Sequence, residues 1–119
     1  MNRWVVVGAV SMAIAVALGA FGTHALRDTL TDKQLGWWAT AQQYQVWHSL
    51  ALLLLGLLPG NKSTGWLFVI GIAVFSGTLY AMALGGPTWL GAVTPIGGAS
   101  FIAGWLVLAV QAAKSRSNP

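Results

Sequence analysis

Histidines, side-chain amides and hydroxyls stand out in this chain because so little else in it is polar. His24 closes the first apolar stretch. Gln42, Gln43, Tyr44, Gln45 and His48 open the second, Ser76, Thr78 and Tyr80 lie late in the third, and Thr94 with Gly97 and Gly98 opens the fourth. An imidazole pair among amides and hydroxyls suits a small polar cavity for an anion, such as a lipid phosphate. The plainer reading is a hydrogen-bond cluster that fixes helix register, since polar groups in an apolar interior must find partners. Two histidines with no carboxylate or thiolate beside them make no metal site, because structural zinc takes four ligands. No cofactor is expected either.

Enzymatic chemistry finds little support. No apolar stretch holds Asp or Glu, so a carboxylate acid–base pair is absent. Asp28 and Asp32 sit near His24 but are flanked by Arg27 and Lys33, which reads as a solvated charge cluster. Ser49 directly follows His48, and neighbours in sequence point apart on a helix.

The elements that carry these groups are set by charge. Charged residues make up 7% of the 119 residues, against about a quarter in a soluble domain. Charge-free runs occupy 4–26, 34–61 and 63–113. They are continuous rather than alternating, which indicates spanning helices and not a barrel. The run 63–113 would be roughly 77 Å long as one helix, so Gly85-Gly86-Pro87-Thr88 must break it. The expected fold is therefore an all-α membrane protein of one domain, 1–119. It is a four-transmembrane-helix bundle with helices at about 4–26, 38–58, 65–85 and 95–113. Thr31 and Asp32 start a short amphipathic segment before helix 2, and Thr94-Pro95 starts the last helix.

Small residues recur along these helices: Gly19 and Gly22 on the first, Ala73, Gly77 and Ala81 on the third, Gly104 on the fourth. Such spacing lets backbones touch in lipid, within the bundle or between copies in a homo-oligomer. The net charge of +4 does not imply nucleic acid, because the basic residues are scattered over ends and loops. Arg3, Lys62, Lys114 and Arg116 fall on one side of a four-span bundle and Arg27 and Lys33 on the other. That asymmetry places both termini in the cytoplasm of a bacterial inner membrane. On this layout the polar groups all fall in the non-cytoplasmic half.

Four strings occur in order: Gly19-Ala20-Phe21-Gly22-Thr23-His24-Ala25-Leu26, Thr40-Ala41 with Tyr44-Gln45 and His48-Ser49-Leu50-Ala51-Leu52, Phe75-Ser76-Gly77-Thr78-Leu79-Tyr80, and Thr94-Pro95-Ile96-Gly97-Gly98. Together they resemble the YgdD-like family of small bacterial membrane proteins, over nearly the whole chain. The resemblance implies a four-helix inner-membrane protein and brings no activity or catalytic residue. The functional expectation is a lipid- or protein-binding membrane module, with the bilayer, an anionic headgroup, a second copy or another protein as partners. The alternative is a small oligomeric transporter or channel that uses His24 and His48.

Overall fold

The computed structural model describes residues 1–116, the last through its backbone alone. Four long helices account for most of them. They are α1 (Arg3–Ala25), α2 (Asp32–Gly56), α3 (Lys62–Ala83) and α4 (Thr94–Arg116), with a 3₁₀ turn at Thr88–Ala92 leading into α4. The end of the polar tail, beyond Arg116, lies outside the described residues.

The first two helices start at side-chain caps. The Asn2 carboxamide accepts from the Val5 N–H and donates to the carbonyl of Gly56, so one side chain caps α1 and ties it to the end of α2. Thr31 and Gln34 form a reciprocal capping box at the start of α2. That box begins an unbroken helix at Asp32. The expected separate amphipathic segment before a helix starting near Trp38 is therefore not present; its residues are the first turns of α2. Thr94 departs from expectation too. It lies within the helical run, and its hydroxyl donates to the Leu90 carbonyl instead of capping.

Three stretches are long and apolar enough to cross a membrane: Arg3–Ala25, Lys62–Ala83 and Thr88–Ser115. At 25 residues α2 is just as long, but its amides, His48 and Ser49 lower its mean hydropathy. It survives among apolar helices because it packs on α1 along one face and on α3 along another. The core between α2, α3 and α4 holds Ala51, Leu52, Leu55, Phe68 and Phe101. Large apolar side chains such as Val10, Ile14, Phe21, Ile70, Ile102 and Leu106 point outward, as a lipid-facing surface requires.

Close approach is carried by glycines. A Cβ on Gly8 would lie 2.8 Å from the Ser49 carbonyl oxygen, and one on Gly19 or Gly22 would strike Gln42 or Trp38. On α3 and α4 the tight points are Gly65 against Trp4, Gly71 against Phe101, Gly97 against Phe75 and Gly104 against Phe68. Gly19, Gly22 and Gly104 thus lie at close approaches between helices. Ala73 and Gly77 do not: both are exposed, and nothing lies within 4 Å of a Cβ placed on Gly77. Ala81 is half-buried. The reason is a π-helical turn at Ile72–Ser76, which adds a residue to the local turn and rotates the remainder of α3 about its axis. Thr78 Oγ1, 2.7 Å from the Val74 carbonyl and 3.2 Å from that of Phe75, caps the backbone this turn loosens. The π turn brings Ser76 round to donate to the Ala41 carbonyl on α2, at 2.7 Å.

Candidate functional site

The face of α2 toward α1 carries Trp38, Gln42, Gln45 and Ser49, spaced by four, three and four residues. Each reaches a group on the antiparallel neighbour. The Trp38 indole N–H donates to the Leu18 carbonyl at 3.1 Å, the Gln42 amide to that of Ala15 at 3.3 Å, and the Gln45 amide to that of Ser11 at 3.0 Å. The hydroxyls of Ser49 and Ser11 are 2.6 Å apart. A helical carbonyl keeps a free lone pair after its own helix bond, so these contacts break no backbone bond. Gln45 also accepts from the Tyr80 hydroxyl at 2.7 Å, which joins α3 to the same set.

His48 forms a separate node. Its Nδ1 lies 2.8 Å from the Tyr44 carbonyl, one turn back, and its Nε2 lies 3.0 Å from the Trp105 indole nitrogen. A carbonyl only accepts and an indole N–H only donates, so the ring is neutral with its proton on Nδ1. Its face stacks on Phe101 with centroids 3.6 Å apart, and its edge meets Phe68. Nothing is left on the imidazole to offer a ligand. A third set joins the hydroxyls of Thr78 and Thr94 at 2.6 Å, and Ser100 donates to the Leu67 carbonyl at 2.7 Å.

The single pocket expected around His24, Tyr44, His48 and the start of the last helix is not brought together. His24 is exposed on the outward stripe of α1 with Ile14 and Phe21. His48 lies level with Ser11, whose partners are Gln45 and Ser49. The two histidines are therefore separated by roughly 20 Å along the bundle. The polar groups are also not confined to the half away from the termini. Because α2 begins at Asp32, Gln42 falls opposite Ala15, near the middle of α1, and Ser49 opposite Ser11 lies beyond it. Gly97 and Gly98 seat the Phe75 ring and backbone. Gln43 is exposed and makes no hydrogen bond to any described residue.

Open space occurs at the two ends instead. At the end that holds Asn2, the 57–61 loop and the last turns of α4, a cleft of about 410 Å³ is lined by Asn2, Arg3, Trp4, Gly60, Asn61 and Lys62. Beside it, across the same loop, a second cleft of about 570 Å³ is lined by Leu108, Gln111, Lys114 and Ser115. At the opposite end a smaller space of about 220 Å³ lies between Thr23, Arg27, Leu35 and Gln42. Sequence reasoning misses the first cleft because Arg3 and Lys62 are far apart in the chain. It also misses the α1–α2 ladder as a whole. That ladder has a signal: the four-three-four spacing of Trp38, Gln42, Gln45 and Ser49, matched by small residues on α1.

Among known proteins, the family described as "Protein of unknown function (DUF423)" matches residues 18–98. A "UPF0382 membrane protein" of Staphylococcus epidermidis is 46% identical over 119 residues, which covers 96% of this chain and 98% of the relative. The "UPF0382 membrane protein YwdK" of Bacillus subtilis is 39% identical over 121 residues, with the same coverage. No solved structure matches the chain.

Proposed function

The chain belongs to the DUF423 family, whose relatives are named as membrane proteins, and from that premise we propose a four-span, non-catalytic module that binds anionic lipid headgroups at one membrane surface. The observation that carries this reading is the cleft between Arg3 and Lys62. Two helices, α1 and α3, begin there and α2 ends there, so the helix dipoles partly cancel and the two cationic side chains set the sign of the cleft. Trp4 stands at its rim, edge-on to Trp66 with centroids 5.7 Å apart, an aromatic pair suited to headgroup level. The interior supports the same reading from the other side. Gln45, His48, Ser76 and Tyr80 spend their hydrogen bonds on one another, on the Trp105 indole and on backbone, which is work for a scaffold and disfavours a path for ions or protons.

In this reading α2 spans as the fourth helix, its amides sheltered by the carbonyls of α1. The clefts face the cytoplasm, because Arg3, Lys62, Lys114 and Arg116 outnumber Arg27 and Lys33. A C-terminal fluorescent fusion is expected to glow and a C-terminal alkaline phosphatase fusion to stay silent; the reverse pattern overturns the orientation.

Headgroup binding is tested on purified protein in neutral detergent, where charge changes cannot alter topology. Titrated with phosphatidylglycerol, Arg3→Ala and Lys62→Ala are each expected to weaken binding about fivefold, from ~1 kcal/mol per basic residue. His48→Phe, far from the cleft, is expected to bind as the native chain does. Equal affinity for phosphatidylglycerol and phosphatidylcholine in the native chain would sink the reading.

A further inference from the structure

One face of α2 touches neither α1 nor α3. It carries Gly36, Thr40, Gln43, Trp47, Leu50 and Leu54, all exposed except the half-buried Thr40. The steps between them are four, three, four, three and four. That alternation is the spacing of a left-handed two-helix seam, which keeps one stripe facing a partner along its whole length.

The seam has a polar centre with nothing to pair it. Gln42 bonds to Ala15, twelve residues into α1 and ten from its end, so Gln43 sits within a turn of the middle of that helix. With α2 spanning the bilayer, the part of the proposed function on which this inference rests, an amide at that depth has no water and no headgroup within reach. Leaving it unpaired in hydrocarbon is costly, and acyl chains supply no donor or acceptor. The hydroxyl of Thr40 likewise bonds to no described residue.

We infer that this face of α2 is a symmetric interface and that its occupant is the α2 of a second copy of the chain. Copies in one bilayer share their orientation, so a two-fold axis must run along the membrane normal. Such an axis sets each residue at the same depth as its own counterpart, and Gln43 meets Gln43. The carboxamide carries both donors and an acceptor, so two of them satisfy one another reciprocally. The formal charge in step with the stripe is Lys33, three residues before Gly36 in the first turn of α2, at the end of the seam where water screens it. Gly36 at one end of the stripe leaves room for the backbones. The apolar members, Trp47, Leu50 and Leu54, add packing alone, because lipid is as apolar as they are. The amide pair therefore decides both that the helices associate and in which register, as a buried polar residue does in a coiled coil.

The chain has no cysteine, so single-cysteine variants report on one position each. Leu50→Cys, on the seam, and Ile102→Cys, on the outer face of α4 and 63% exposed, are co-expressed in two differently tagged versions. Native membranes are then oxidised. Leu50→Cys is expected to give a disulfide-linked product of twice the chain mass carrying both tags, and Ile102→Cys to give none. In the Leu50→Cys background, Gln43→Leu is expected to weaken association about tenfold, and Gln43→Asn to restore most of it. Since Gln43 bonds to no described residue, Gln43→Leu should keep the native thermal midpoint, which separates lost association from lost folding. Three results would overturn the inference: no Leu50 product above the Ile102 control, a product that carries one tag with a foreign protein, or a dimer indifferent to Gln43→Leu.

Discussion

Gly97→Ala is expected to destabilise the protein by about 3 kcal/mol, while Gly77→Leu, a far larger change, leaves its thermal midpoint where it was. At Gly97 the added methyl would run into the backbone nitrogen and Cα of Phe75. A flexible side chain could swing away, but backbone in the π turn of α3 cannot move without disturbing its hydrogen bonds. The start of α4 would have to lift off α3 and carry Phe101 with it, away from His48. At Gly77 the new side chain points outward into open space. Thermal unfolding of both variants in one detergent decides the matter. A Gly77→Leu protein that melts earlier than Gly97→Ala would mean that Gly77, not Gly97, carries the close helix contact.

The second large effect is expected at Gln45. Its amide N–H group serves Ser11 on α1 and its carbonyl serves the Tyr80 hydroxyl on α3, so one side chain links three helices. Gln45→Leu conserves bulk and adds apolar surface, yet it strands the Tyr80 hydroxyl and removes a bond to α1. The expected cost is about 2 kcal/mol, near the upper range for polar contacts in membranes. Combining it with Tyr80→Phe removes the stranded group. The double variant should therefore be more stable than Gln45→Leu alone. Strictly additive losses in the double-mutant cycle would show that the two side chains do not interact.

How much of this is legible in the sequence differs from element to element. The boundaries of α1 and α3 are visible because charge and breakers flank them: Arg3 and Arg27 around one, Lys62 and Gly85-Gly86 around the other. The start of α2 is misplaced because the sequence reading sets the residues after Thr31 apart as an amphipathic segment and begins the spanning helix at Trp38. In the fold Trp38 is buried against α1, with its indole bonded to Leu18. Six residues of error at that end is roughly 9 Å of depth. That error is why the pattern assigns the polar groups to one half of the bundle and joins His24 to His48. The π turn leaves no mark in the spacing of Ala73, Gly77 and Ala81, since periodicity presumes a constant turn. His48 stands out in the sequence as a polar group needing partners, and the fold supplies them. Trp105, which provides one of these partners, lies 57 residues further along the chain, beyond the reach of any local pattern.

The ladder between α1 and α2 also bears on how the chain enters a bilayer. A segment carrying Gln42, Gln43, Gln45 and His48 is a poor candidate for leaving the translocon alone, where each polar side chain raises the cost of partitioning. Its carbonyl partners at Ser11, Ala15 and Leu18 belong to the helix synthesised just before it. Order of synthesis thus delivers the acceptors ahead of the donors. With α2 spanning as proposed, the first two helices are suited to insert as a closed hairpin, in which α1 acts as the solvent that admits α2.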